Sequence, residues 1–330
     1  MLQPIFNPDL YHGRVPMRRF FEGWYFKLVS SVSNRAFAFI PGIFWGSDET
    51  QHHAFLQVLD GHRRAYRYVR YPASSFSASK RAPLSIRVGS GSEFDLSQIR
   101  IAVDEQDLNI QGTVRLRGLV PWPSSLLAPG SMGRYNFLLG MQCYSQVSAM
   151  DVLLEGTLQV NGESIDFNGG RGYIEKNWGN AFPYSWIWVQ ANNFEKVPAA
   201  VSCSIGHIPL RFTSFRGFLM GVQYEDRFFE FTTMNRSQLR IEASQPDVRL
   251  EVANKKHRLV LHTTSDPDSY IQCLGPRDGD MIPLVDETLQ GTVELELYDQ
   301  ASGNCLLQDV SHHAGLEYGG DQRRVVDTVK

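Results

Sequence analysis

No apolar run in the 330-residue chain approaches the roughly 18 residues that a membrane-spanning helix needs. The opening residues, MLQPIFNPDLYHGRVPMRRFF, hold Pro4, Pro8 and Pro16 and neither a secretory apolar core nor a Ser- and Arg-rich leader, so the expectation is a cytoplasmic protein. The four cysteines, Cys143, Cys203, Cys273 and Cys305, include no close pair. That spacing argues against a zinc site and against a disulfide framework, and it predicts free thiols and no metal centre. A net charge of −3 and a pI near 6.3 leave no basic footprint for nucleic acid. Gly-rich phosphate loops, dinucleotide fingerprints, Gly-x-Ser-x-Gly elbows and HExxH helices are all missing, and no cofactor is expected. Asp266, Asp268, Asp278 and Asp280 stand among Pro and Gly in turns, without the spacing of a calcium loop. Long helical periodicity is nearly absent; a short helix near Met141–Ala149 or Glu287 is the most the pattern allows.

What remains is β-structure. Hydrophobic residues make up 42% and aromatics 12% of the chain, and they recur in short runs broken by Gly, Asn, Asp or Ser. Ala36–Ile40, Ala54–Leu59, Ser85–Val88, Ile99–Val103, Leu108–Leu116, Leu153–Val160, Arg227–Thr233, Val248–Val252, His257–Thr263 and Thr292–Tyr298 read as strands. Asn161-Gly162 is the sharpest hairpin signal, since both residues tolerate positive φ. Leu119–Tyr135, with Pro121, Pro123, Pro129, Gly130 and Gly133, reads as a long connection. Its Trp122, Leu126, Leu127 and Met132 make it a candidate lid or membrane-touching flap, or else a structural cover. Composition alone permits one sandwich or two β-domains.

The segment Gly172–Phe194, GYIEKNWGNAFPYSWIWVQANNF, concentrates charge, amide and indole in a run whose second half alternates. Side chains two apart share a strand face, so Trp186, Trp188, Gln190 and Asn192 line one side while Ile187, Val189, Ala191 and Asn193 line the other. A Trp-Trp-Gln-Asn face suits the wall of a pocket with a few orienting polar groups; an aromatic strand packed on its neighbours is the plainer alternative.

Gly172–Gly179 (GYIEKNWG), followed by Phe182-Pro183, Trp186, Trp188, Gln190, Asn192 and Phe194, resembles the signature of the tocopherol cyclase family. Phe20–Lys27 (FFEGWYFK) resembles that family's N-terminal motif, and His53–Gln57 and Ala314–Glu317 resemble weaker blocks of its bacterial members. Together these cover most of the chain in the expected order. An internal echo, Glu22-Gly23-Trp24-Tyr25 against Glu175–Gly179, suggests two similar halves. With the resemblance, it implies two lipocalin-like (calycin-type) β-barrel domains, 1–165 and 166–330.

The resemblance also implies a reaction: ring closure of a prenylated hydroquinone to a chromanol, by protonation of the side-chain alkene and addition of the phenolic oxygen to the tertiary cation. Such a site needs a protonated acid, π-faces and a dry apolar pocket, and no redox cofactor. Glu22 and Glu175 are the candidate acids, because burial among aromatics raises a carboxyl pKa. The alternative for each is an ion pair, Glu22 with Arg18 or Arg19 and Glu175 with Lys176 or Arg171. On an extended segment Lys176 points away from Glu175. Trp24, Trp178, Trp186 and Trp188 are candidates for gripping the chain and stabilising the cation, and Tyr25 for binding a phenol. Asn177, Gln190 and Asn192 can orient ring hydroxyls. His53 shares a face with Phe55 and Gln57 and is a candidate pocket residue or proton relay; adjacent His52 faces the other way, which prevents joint metal binding. His312-His313 reads as solvated or packed. Trp186, Trp188, Gln190 and Asn192 are expected to share a cavity with part of Glu22–Phe26. The expected partner is a hydrophobic small molecule, a prenylated quinol or another isoprenoid or lipid, with peripheral membrane contact compatible. A non-catalytic lipid carrier and an isoprenoid hydratase are the competing functions.

Overall fold

Alternation in Phe20–Val29 sends Glu22, Trp24, Phe26 and Leu28 to one side and Phe21, Gly23, Tyr25 and Lys27 to the other, and the neighbouring strands continue both stripes. The computed structural model describes residues 3–13, 19–33, 35–210, 213–244 and 246–329. Cα packing divides the chain into two units: residues 1–182 with 274–283, and residues 183–273 with 284–330. Residues 166–182, placed in the second domain by the sequence boundary, therefore belong to the first unit. The reason is pairing: the GYIEKNWG strand lies along the FFEGWYF strand over nine consecutive positions, Phe21 opposite Gly179 through Val29 opposite Arg171.

The first unit's strands are β1 (Phe20–Val29), β2 (Ala36–Trp45), β3 (His53–Asp60), β4 (Ala65–Pro72), β5 (Phe76–Ala78) and β6 (Ser85–Val88). They continue with β7 (Ser92–Asp95), β8 (Gln98–Glu105), β9 (Leu108–Val120), β10 (Cys143–Val160), β11 (Glu163–Asp166) and β12 (Arg171–Gly179). The sheet runs β4-β3-β2-β1-β12-β10-β9-β8-β7-β6-β5, with β11 beside β10, and every pairing in it is antiparallel. One face carries the main core, including Trp24, Phe26, Phe37, Phe39, Leu56, Ile110 and Ile174. The opposite face carries a smaller aromatic cluster of Phe21, Phe44 and Phe55, flanked by Ile40, Tyr68 and Phe182. The Asn161-Gly162 corner joins β10 to β11 with both φ values positive, 49° and 82°, as a two-residue hairpin requires.

The second unit holds β13 (Ser185–Ala191), β14 (Ala199–Leu210), β15 (Thr213–Tyr224), β16 (Arg227–Thr232), β17 (Gln238–Ser244), β18 (Asp247–Ala253) and β19 (His257–Thr264). It also holds most of β21 (Asp280–Asp299), β22 (Cys305–Gly320) and β23 (Thr328–Val329); β20 (Ile271–Arg277) pairs with β21. The order is β16-β15-β14-β13-β22-β21-β19-β18-β17-β23. Ile187, Val189, Val201, Cys203, Ile205, Leu316 and Tyr318 face its core.

The protein is all-β. The one α-helical turn described, Gln3–Phe6, lies outside both regions where the sequence allowed a helix. Cys143–Ala149 lies in β10 and Glu287 in β21, because each pairs with a neighbouring strand, which overrides weak local preference. Both strand orders are open paths among the described residues, so hydrogen-bonded barrel closure is not displayed. None of the four cysteines is in a disulfide, and no described helix is long and apolar enough to cross a membrane.

Candidate functional site

The register that joins the two motifs separates their glutamates. Glu22 stands opposite Trp178 and Tyr25 opposite Glu175, so Glu22, Trp24, Lys176 and Trp178 share the core face while Tyr25, Tyr173, Glu175 and Asn177 share the other.

On the core face Glu22 and Lys176 are both fully buried and form an ion pair, Oε1 to Nζ 2.6 Å. The Lys176 ammonium also donates to the Leu10 carbonyl at 2.8 Å, and it lies 5.2 Å and 4.9 Å from the ring centroids of Trp24 and Trp178. His12 donates its backbone N–H to Glu22 Oε2 at 2.9 Å, sets Nδ1 3.2 Å from Glu22 Oε1, and stacks on Trp178 with 3.9 Å between ring centroids. Burial pushes the Glu22 carboxyl up, but Lys176 and His12 outweigh it and hold the group below its ordinary value. That corrects the expectation of a raised pKa at Glu22: an aromatic surround raises a carboxyl only when no cation shares it. The ion-pair partner differs as well. Arg19 donates from Nε to Ser47 Oγ, Arg18 lies outside the described residues, and Lys176 takes the place expected for either. The half-buried His12 ring is held below its ordinary pKa, first by desolvation and then by Lys176.

The opposite face is where a buried carboxyl meets hydroxyls. Tyr173 Oη donates to Glu175 Oε2 at 2.7 Å and Ser145 Oγ donates to Oε1 at 2.9 Å, while Asn177 Nδ2 sits 3.4 Å from Oε1. Glu175 and Tyr173 are buried, and Tyr25 and Asn177 half-buried. Of the expected partners for Glu175, Lys176 is turned to Glu22 and Arg171 pairs with Asp151. The Phe21–Phe44–Phe55 cluster and His53, Gln57 and Tyr68 line this side of the sheet. His53 Nε2 lies 2.6 Å from Tyr68 Oη and its ring pKa is lowered, mainly by desolvation. Gln57 accepts from Tyr66 Oη at 2.6 Å.

Phe55 reaches this face by lying across Gly42: a Cβ at Gly42 would fall 2.2 Å from Phe55 Cζ and 2.8 Å from the Glu22 carbonyl oxygen. Gly42→Ala is therefore expected to push Phe55 out of its rotamer and to destabilise the protein by about 1–3 kcal/mol. Thermal unfolding checks this, and an unchanged midpoint would mean that the ring moves aside freely.

In the second unit Trp186, Trp188 and Gln190 lie on one face of β13, opposite Ile187 and Val189, as the alternation predicts, and all three are buried. Asn192, also buried, follows the strand's last residue, Ala191. Trp186 is fixed from two sides. Its indole N–H donates to Glu317 Oε1 at 2.5 Å, and its ring covers Gly319, where a Cβ would lie 2.1 Å from the ring atoms. Glu317 stands directly across from buried Glu287 and beside Trp188 in the register. Burial raises the Cys273 thiol pKa, and Glu287, Glu317 and Asp286 add to that. Of the acidic residues near Trp186 and Trp188, Glu317 alone carried a sequence signal for the site, as the end of a weak motif block. Ser145 and His12 carried none, because their roles follow from register and from a distant segment folding back; Tyr173 lies in the GYIEKNWG block two positions before Glu175, on the same strand face. Among the described residues no three His, Cys, Asp or Glu side chains converge as a metal-ligand group.

The expected site residues thus fall into three sets: Glu22, Trp24 and Trp178 on the first unit's core face; Tyr25, His53, Gln57, Glu175 and Asn177 on its other face; Trp186, Trp188, Gln190 and Asn192 in the second unit.

Comparison with known proteins agrees with the motifs. A probable tocopherol cyclase, chloroplastic, of Oryza sativa subsp. japonica is 29% identical over 184 residues, 53% of this chain and 39% of that protein. A chloroplastic tocopherol cyclase of Zea mays is 28% identical over 183 residues with the same coverage. The chain therefore matches well under half the length of these curated relatives. Among solved structures, kievitone hydratase from Nectria haematococca shares the fold at TM-score 0.51 and 14% identity, over 91% of this chain and 89% of that one. CghA does so at 0.56 and 12%, over 92% and 88%. The model of the tocopherol cyclase-like family matches residues 104–320, and the chain belongs to that family.

Proposed function

We propose that the protein is an intramolecular cyclase of the tocopherol cyclase type, acting on a prenylated hydroquinone or a closely similar isoprenoid, and that each unit is a lipocalin-like barrel. The observation that carries the reading is Glu175, a buried carboxyl on an aromatic face with a hydroxyl on each oxygen, Tyr173 on Oε2 and Ser145 on Oε1. Hydroxyls both donate and accept, so either partner can turn to keep Glu175 bonded before and after it gives up a proton. In the reaction the Glu175 proton adds to the less substituted alkene carbon, the C=C π pair forms that C–H bond, and a tertiary cation results. The phenolic oxygen then closes on the cation and its proton leaves, returning the carboxyl to its starting form. The change is an isomerisation, with no electron donor or acceptor. Tyr25, Phe55 and the rings around them supply π-faces for the cation, and Asn177 a polar group for a ring hydroxyl.

A hydratase is the second reading, favoured by the fold shared with kievitone hydratase: water replaces the phenol as the trap for the same cation. One experiment separates these. Purified protein is incubated with a prenylated hydroquinone in D2O and the products are analysed by mass spectrometry. Cyclisation gives a chromanol with one deuterium on the protonated carbon, whereas hydration gives an open-chain tertiary alcohol. No turnover, together with an assortment of fatty acids in an organic extract of the protein, would identify a carrier and sink both readings.

A further inference from the structure

The connection between β9 and β10 is partly buried and partly exposed. Its Trp122 and Met132 are buried, but two Leu-Leu pairs stand out from it. Leu126 and Leu127 are 78% and 76% exposed, and they are the two corner residues of a tight turn closed by Ser125 N–H to Ala128 O at 3.0 Å and Ala128 N–H to Ser125 O at 3.2 Å. Leu138, which caps the 3-10 turn Gly133–Phe137, and Leu139, in the turn that follows, are 45% and 84% exposed; Phe137 beside them packs edge-to-face on exposed Phe6 at 5.7 Å. Turn corners are ordinarily Asn, Gly, Asp or Pro, which meet water and the backbone geometry at no cost. Leu126 and Leu127 at one corner, and Leu139 next to Gly140 at the other, do neither.

These tips are held in place. Asn136 Nδ2 donates to the Pro129 carbonyl at 2.6 Å, Tyr144 Oη to the Leu138 carbonyl at 2.6 Å, and the Gly130 N–H to Ser124 Oγ at 2.8 Å. Along the segment that carries them, Leu108 to Met150, the sequence has no Asp or Glu; it holds exposed Arg134, and Arg115 and Arg117, the latter paired with Glu155 of β10. The tips are exposed, apolar and braced by hydrogen bonds, and the segment that carries them contributes no carboxylate. They suit a deformable apolar medium under a neutral or anionic surface.

We propose that the Leu126-Leu127 and Leu138-Leu139 tips insert into the headgroup region of a lipid bilayer and hold the protein on the membrane surface. This goes beyond the proposed chemistry, and its test contains no quinol, so failure of either reading leaves the other standing. The full chain is mixed with vesicles of phosphatidylcholine and phosphatidylglycerol and floated through a density gradient. Wild-type protein is expected to rise with the vesicles. Leu126→Ser/Leu127→Ser and Leu138→Ser/Leu139→Ser should each weaken vesicle binding by about tenfold or more, since each removes two side chains from the apolar phase. The thermal midpoint of the first variant should match wild type, because both replaced groups are largely in water, and that of the second should fall only slightly, because Leu138 is partly covered. Wild-type protein that stays at the bottom of the gradient, or variants that float as well as wild type, would overturn the proposal. So would a concentration-dependent dimer in sedimentation velocity that the serine variants dissolve, which would make a second copy the occupant of the tips.

Discussion

Glu175→Gln is expected to lower chromanol formation by about 10²- to 10⁴-fold, the range typical of removing a general acid, while binding of the prenylated hydroquinone stays near wild type. Glutamine keeps the volume and an acceptor for Tyr173 Oη, so the change is confined to the proton. Tyr173→Phe provides a graded comparison. It leaves the carboxyl but removes one of its hydroxyl partners, and a net hydrogen bond of about 0.5–1.5 kcal/mol corresponds to a loss of at most about tenfold. Steady-state rates in detergent micelles, with ligand binding and thermal unfolding measured on the same preparations, distinguish the cases. If Glu175→Gln turns over like wild type with normal binding, Glu175 is not the acid, and the Glu287–Glu317 neighbourhood beside Trp188 becomes the next place to look.

The strands were legible in the sequence because β-periodicity is local. Every run read as a strand from its alternation or its apolar residues lies in one, apart from Thr233, which falls just past the end of β16; the Asn161-Gly162 corner forms a hairpin, and Trp186, Trp188 and Gln190 share a face. What alternation within one strand cannot give is the register between strands. Glu22 and Glu175 each sit in an aromatic motif and read alike, yet Trp24 pairs with Lys176 and Tyr25 with Glu175, and that offset puts the two carboxyls on opposite sides of one sheet. Lys176 was legible as pointing away from Glu175, but its partner was not, since Glu22 is 154 positions earlier and no local pattern links them. The helix anticipated near Met141–Ala149 failed for a related reason. That stretch is flanked by β12, which supplies a ladder partner that a single-sequence pattern does not reveal.

Removing one member of the buried pair should be the most damaging change to stability in the first unit. Lys176→Met leaves the Glu22 carboxylate in the core without its counter-ion, and Glu22→Gln leaves the ammonium there; either costs about 3–5 kcal/mol. In a unit of this size that is a fall in the thermal midpoint on the order of 10 °C. The damage extends to the N-terminal segment, because Lys176 holds the Leu10 carbonyl and Glu22 the His12 backbone N–H. Glu22→Gln/Lys176→Met, which removes both charges, is expected to recover part of that loss, and the shortfall from additivity measures their coupling. Acid dependence has a definite sign. The Glu22 pKa is lowered by folding, so its contribution is complete above its ordinary 4.5 and is lost as pH falls through the folded value. The His12 pKa is lowered too, so below its ordinary 6.5 the unfolded chain takes up the proton more readily and stability falls in the same direction. Wild-type stability should therefore decline from about pH 6.5 downward, and the double variant should keep the His12 part while declining less steeply than wild type below pH 4.5. Singles that melt with wild type, or a double variant worse than the two singles combined, would show that the pair does not hold this unit together. A folded double variant that still forms chromanol would assign the chemistry to the other face of the sheet, where Glu175 is intact.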